Sequence, residues 1–216
     1  MKRRSLLRWV PPSLLALSAL ALVGLNPQPA AALGGKGPEA GEPAPPFRLP
    51  GVAPAGAGRD PQPVSLSLED FRERWLVLYF YPKDFTPGCT LEARGFQRDL
   101  ESFHQLGAEV VGISTDSPDS HGSFCGSEGL AYPLLSDPEG RVCRSYGSWL
   151  APTALRHTFL IDPKGQVRAR WLGVRPLGHS QEVLAALREA GGEETGSASS
   201  AGAGVGKESA IRWRND

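Results

Sequence analysis

The chain has 216 residues, 40% of them hydrophobic and 21% charged, enough for one well-buried domain and too few for two full ones. Lys plus Arg and Asp plus Glu both number 23, so no net field draws nucleic acid or an anionic membrane, and neither is expected as a partner of the mature domain. Three cysteines with no C-x-x-C and no paired-ligand spacing exclude a disulfide-stapled scaffold and give no basis for structural zinc.

Residues 1–32 read as an export signal. Lys2, Arg3, Arg4 and Arg8 precede an apolar stretch from Leu14 to Leu25, and Pro27, Pro29 and the run Ala30 to Ala32 follow, the order of a cleavable signal peptide. The stretch is shorter than the roughly 20 residues that a membrane span takes. RRSLLR also resembles a twin-arginine signal, so folded export, general export and an uncleaved amphipathic anchor are three readings of one segment. No cysteine follows the apolar run, which argues against a lipid anchor. Residues 33–42, in a Gly/Pro/Ala-rich stretch, read as a linker, 43–190 as the folded domain and 191–216 as a disordered tail.

Within the domain, 47–49 and 64–68 are expected to form an initial hairpin joined by a long Gly/Ala/Pro loop over 50–61. WLVLYFY at 75–81 is a continuous apolar, β-branched and aromatic run ended by Pro82, the pattern of a central strand buried on both faces. Leu91, Phe96, Leu100, Phe103 and Leu106 recur near helical spacing and predict a helix over 88–106 that stops at Gly107. EVVGIST at 109–115 is a second buried strand, and Ser117 and Pro118 supply the N-cap and first-turn proline of a helix ending near Gly129. A short helix around 138–146, strands 157–161 and 166–172 about a turn at 162–165, and a last helix 179–190 complete the pattern. Strands alternating with helices and closing on an antiparallel hairpin predict an α/β sandwich.

The chemistry concentrates in YPKDFTPGCTLEA at 81–93, between the buried strand and a helix. Thr86 suits the N-cap, Pro87 the first helical position, and Cys89 falls in the first turn. Unpaired backbone N–H groups and the positive helix end at such a position lower a thiol's pKa and favour the reactive thiolate. Attack by such a thiolate also needs donors arranged around the leaving atom of its substrate. The Thr86 hydroxyl and a guanidinium are candidates for these, with Pro82 stiffening the loop entry. The same residues also fit a buried, inert cysteine in a strand-to-helix turn, and spacing does not choose among Arg141, Arg144 and Arg156.

P-x-x-x-T-x-x-C, formed by Pro82, Thr86 and Cys89, resembles the peroxiredoxin active-site pattern. The fuller YFYPKDFTPGCTLEA resembles the peroxiredoxin Q or bacterioferritin comigratory protein branch, and the likeness continues through VVGISTDSPDSHGSF, LAYPLLSD and RHTFLIDPKGQV, covering about residues 43–190. It implies a thioredoxin-like sandwich, a central mixed β-sheet flanked by helices. It implies a thiol peroxidase in which Cys89 is the peroxidatic cysteine oxidised to a sulfenic acid, Thr86 and Pro82 complete the loop, and Arg156 is the active-site arginine. Many relatives place a resolving cysteine five residues after the first, where this chain has Arg94. A subset carries it in the helix after the second strand, where Cys125 stands 36 residues beyond Cys89 (125 − 89). The implied cycle takes a hydroperoxide, closes a Cys89–Cys125 disulfide within one chain and is reopened by a thioredoxin-like dithiol protein. It calls for no flavin, haem or metal, and a monomer suffices for it. If exported, the enzyme meets its reductant in the periplasm or a thylakoid lumen.

The helix carrying Cys125 is weak by composition, with Ser120, Gly122, Ser123, Gly126 and Ser127, and each interior glycine costs about 1 kcal/mol against alanine. That fits a segment that unfolds locally to bring its thiol within the roughly 7 Å Cα separation of a disulfide, and it also fits ordinary packing. Cys143 is expected as a packed spectator, His104, His121, His157 and His179 as surface or packing histidines, and Trp75, Trp149 and Trp171 as core or pocket-rim aromatics. Lys83 and Asp84 read as solvated charges, while Phe85 either makes the pocket mouth apolar, favouring organic hydroperoxides, or packs the loop. The rival functions are a one-cysteine peroxidase resolved by an external thiol and a redox-inactive binding or holdase module on the same scaffold. A thiol-disulfide oxidoreductase would lack its C-x-x-C.

Overall fold

The protein's structure, a computed structural model, describes residues 34–54 and 61–198; the expected export signal and the end of the tail lie outside them. In chain order the elements begin β1 (Arg48–Ala53), β2 (Gln62–Ser67), β3 (Trp75–Phe80), α1 (Pro87–Gln105), β4 (Ala108–Ser114), α2 (Pro118–Glu128) and β5 (Leu134–Ser136). They continue with α3 (Arg141–Ser145), β6 (Trp149–Leu150), β7 (Thr153–Ala154), β8 (His157–Ile161), β9 (Val167–Leu172) and α4 (His179–Ala198). Seven strands form one sheet in the order β2-β1-β5-β4-β3-β8-β9, parallel across β3, β4 and β5 and antiparallel elsewhere. This is the mixed-sheet α/β sandwich that the sequence pattern predicts.

β3 is buried along its whole length, and its side chains alternate between two apolar layers as the two-residue strand period requires. Leu76, Leu78 and Phe80 enter one layer, and Trp75, Val77 and Tyr79, with Tyr81 beyond the strand end, enter the other. The second layer is completed by Phe96 and Phe103 of α1, Phe124 of α2, and Val183 and Leu187 of α4. The first is completed by Val142 of α3 and by Leu68 and Phe71 of the single 3-10 turn after β2. Cys89 and Cys125 belong to one layer and Cys143 to the other.

Three stretches differ from the sequence expectation. β1 extends through Pro50 and Gly51, which sequence reading assigns to a loop. Gly51 sits so close to β5 that a Cβ there would lie 2.2 Å from the Leu134 carbonyl oxygen, so this glycine serves close strand approach, not a turn. The expected linker is strapped to the domain. Gly41 N donates to Val167 O at 2.7 Å, Val167 N to Glu42 O at 2.9 Å, and Arg170 Nη1 to Pro38 O at 3.2 Å. Gly37 permits this by lying against the Tyr146 carbonyl, where a Cβ would stand 2.2 Å from the oxygen. Finally, the backbone of α4 runs to Ala198, past the 190 expected from the glycines that follow. The short β5, β6 and β7 carry too few residues to show a period.

Gly51→Ala is expected to cost about 1–3 kcal/mol through overpacking against β5. Gly122→Ala should stabilise by about 1 kcal/mol, since nothing lies within 4 Å of a Cβ there. Urea unfolding of the two variants beside the parent checks this, and shifts of the same sign would refute it.

Candidate active site

The chain leaves β3 into a turn that delivers Cys89. Phe85 takes a left-handed backbone conformation at φ 61°, uncommon for a bulky residue, and Thr86 returns to an extended conformation as N-cap of α1. Pro87 occupies the first helical position, and Thr90 N donates to Thr86 O at 2.9 Å to close the first turn around Cys89. This is the predicted arrangement, with one change. The Thr86 hydroxyl does not cap the helix and donates to Lys83 O at 3.0 Å. Its single proton is engaged there, so what Thr86 offers a substrate is oxygen lone pairs instead of the expected donor.

Cys89 is buried, and the Arg156 guanidinium lies against it, with Nη2 donating to Sγ at 3.3 Å. Strand pairing explains the choice of arginine. β8 runs antiparallel to β3 with Phe80 opposite His157, so the residue before β8 meets the chain just beyond the end of β3. Arg141 is on the surface with Glu139 at 2.8 Å, and Arg144 lies over the Trp149 ring at 5.0 Å. Gly88 leaves space for the guanidinium, since a Cβ there would be 3.2 Å from Arg156 Nη2. The loop entry is tied down where Thr153 Oγ1 donates to Pro82 O at 2.5 Å.

The second Arg156 fork reaches Glu92, whose Oε2 accepts from Nη1. Glu92 lies three residues after Cys89 on the same helical face and is almost wholly buried, with Oε1 left without a hydrogen-bond partner. Burial raises its carboxyl to about 7, against the opposing pull of Arg156. The guanidinium itself keeps its proton, so one fixed positive charge faces two acceptors, a sulfur and a carboxylate.

A sequence profile of the AhpC/TSA family matches residues 40–170. The chain belongs to this family. The peroxiredoxin Bcp of Xanthomonas campestris is 40% identical over 141 residues, covering 58% of this chain and 88% of that protein. A putative peroxiredoxin bcp of Coxiella burnetii is 39% identical over 157 residues, covering 69% and 98%. The solved peroxiredoxin Q of Xanthomonas campestris superposes with a TM-score of 0.59 at 38% identity, covering 66% of this chain and 91% of that one. The protein is therefore a thiol-dependent peroxidase on the thioredoxin-like peroxiredoxin fold.

In this peroxiredoxin the other two thiols have different surroundings. Cys125 is buried in the apolar layer that holds Cys89, and burial, with the Asp84 charge adding, pushes its thiol up to about 12. Cys143 lies across the sheet, its N–H donating to Asp137 at 2.8 Å, and burial raises its thiol too. All three are free thiols. Trp75 is buried, while Trp149 and Trp171 are partly buried against the two layers. Phe85 packs against α2, its ring edge-on to Phe124 at 5.1 Å, and is 53% exposed.

Asp84 corrects the sequence expectation. It is buried rather than solvated, accepting from Tyr81 Oη at 2.7 Å and Ser120 Oγ at 2.7 Å and pairing with His121 Nδ1 at 2.9 Å. Burial would raise its carboxyl, but His121 together with the Ser120 and Tyr81 hydroxyls outweighs this and lowers it. Neither this cluster nor Glu92 stands out by reading along the chain. The one available signal for Glu92 was a charge on the helical face shared by Cys89 and Phe96.

Glu92 binds its proton more tightly folded than unfolded. Its contribution to stability is therefore full below its ordinary value near 4.5 and lost as pH rises through about 7. Between pH 4.5 and 7 the parent should lose unfolding free energy that Glu92→Gln retains. Urea midpoints at pH 5 and pH 7.5 measure it, and equal slopes for both proteins would rule it out.

Proposed function

We propose that Cys89 is the peroxidatic cysteine and Cys125 its resolving partner in a two-cysteine cycle completed within one chain. The observation that carries the first half is the donation of Arg156 Nη2 to the Cys89 sulfur at 3.3 Å, at the first turn of α1. The Cys89 thiolate attacks one peroxide oxygen, an S–O bond forms as the O–O bond breaks, and Cys89 is left as S–OH while the other oxygen departs and takes up a proton as water or an alcohol. Negative charge moves from sulfur to the departing oxygen during this step. A guanidinium fork beside the sulfur is placed to follow it, while Thr86 lone pairs accept the peroxide O–H and Pro82 holds the loop. Cys125 then attacks the sulfenic sulfur, an S–S bond forms and water leaves. A thioredoxin-like dithiol reduces that bond by exchange.

The second half is supported by the two thiols sharing one apolar layer and by a spacing. Two solved variants of the Xanthomonas campestris peroxiredoxin Q replace cysteines 36 positions apart, the separation of Cys89 and Cys125 here (125 − 89). Another solved form of that organism's bacterioferritin comigratory protein is described through its alkyl peroxide reduction. The half-exposed Phe85 ring beside the loop fits organic hydroperoxides as well as hydrogen peroxide. The same proposal places the mature enzyme, active as a monomer, in the periplasm or a thylakoid lumen, supported by the charge and apolar order of residues 1–32.

Cys89→Ser should abolish hydroperoxide consumption, and Arg156→Met should slow the first oxidation about 10²–10³-fold. After one equivalent of hydrogen peroxide, peptide mass mapping should find Cys89 joined to Cys125. Cys125→Ser should oxidise once and then stall with thioredoxin. Sustained turnover by that variant would replace this cycle with a one-cysteine one. Gly122→Ala with Gly126→Ala, both free of clashes, should slow disulfide formation about tenfold by stabilising α2; an unchanged stopped-flow rate would count against a mobile α2.

A further inference from the structure

Helix α2 is held to the domain by few groups. Only His121, Phe124 and Cys125 of its side chains are buried, at the i, i+3, i+4 spacing of one face. Two of the three are grasped by consecutive residues of the loop before Cys89. Asp84 pairs with His121 and accepts from Ser120 Oγ, and Phe85 sets its ring against Phe124. The third is the thiol proposed to leave. At the far end of α2 the tie is Arg94 to Glu128 at 2.5 Å, an Arg94 side chain 64% exposed meeting a Glu128 side chain 11% exposed. The Asp84–His121 pair has side chains 1% and 0% exposed, where removing one partner leaves a buried charge and is strongly unfavourable.

We propose that Asp84 and His121 are a positioning pair that keeps α2 docked on the peroxidatic loop and so sets when Cys125 is released to close the disulfide. The inference rests on the two-cysteine reading above.

The pair is the centre of a wider buried hydrogen-bond cluster. His121 Nδ1 faces Asp84 Oδ2 at 2.9 Å and Nε2 faces the Leu135 carbonyl at 3.2 Å. Both are acceptors, so the ring links the loop residue Asp84 to the β5 carbonyl. The other groups around it are the Tyr81 hydroxyl, whose proton goes to Asp84, and Asp116, whose carboxylate takes the Asp84 N–H at 2.9 Å. Cys125 lies one turn further along α2.

The test is stopped-flow Trp fluorescence on the full chain, resolving Cys89 oxidation from disulfide closure, in the parent, Asp84→Asn, His121→Gln and Ser120→Ala. The first two variants should close the disulfide about tenfold faster than the parent while the rate of the first Cys89 oxidation stays within about twofold, a split that a general loss of structure would not give. Ser120→Ala keeps the ion pair and folds readily. It should still close two- to threefold faster although alanine favours helix, since the Ser120 donation to Asp84 is lost. Closure rates equal to the parent's, with the Cys89–Cys125 bond formed, would overturn the positioning role and leave the two-cysteine reading intact. No Cys89–Cys125 bond in the oxidised parent would overturn that reading and this role with it.

Discussion

One buried guanidinium organises the catalytic end of the molecule. Arg156 carries a charge it cannot shed, into a site where an unpaired ion would cost several kcal/mol. It is satisfied from two sides, by the Cys89 sulfur and by Glu92. The consequence falls on the partner that can adapt. Glu92 is buried deeply enough that its carboxyl rises to about 7 even with Arg156 attached, and one of its oxygens finds no donor. Near neutrality Glu92 therefore neutralises the guanidinium only in part, and positive potential remains beside the Cys89 sulfur.

The placement of that arginine follows from the sheet. β3 continues into the loop and α1 that present Cys89, while β8 enters antiparallel beside it, so the residue before β8 arrives at the sulfur. The sheet also sorts the thiols. Helices α1 and α2 pack Cys89 and Cys125 into the apolar layer on one face and α3 packs Cys143 into the other, with β3 buried between them. A third thiol in the same chain is thereby kept away from the reactive one without any change in its chemistry.

The loop before Cys89 joins the two halves of the proposed cycle. Residues 84 and 85 touch α2 while Thr86 begins α1, so a strained, left-handed Phe85 stands between the grip on one helix and the start of the other. Such strain persists only when surrounding contacts over-determine it. Here those contacts are the Asp84 cluster on one side and the α1 cap on the other. The segment that leads to the sulfur is thus the one that touches α2.

Strong local patterns were legible in the sequence. The doubly buried β3, the long α1 and the Ser117–Pro118 start and Gly129 stop of α2 all follow from side-chain period and end chemistry. The Pro82, Thr86 and Cys89 loop was legible as a motif. The choice of Arg156, the burial of Asp84 against His121, and the assignment of Gly51 and Gly37 to close packing were decided by tertiary structure. Each depends on groups 37 to 109 residues apart brought together by strand pairing and helix docking. The sequence by itself determined which segments bury their side chains and which cysteine opens a helix. Only the folded sheet decided which charge meets that sulfur, because burial and partnership belong to three-dimensional neighbours and leave no periodic trace along the chain.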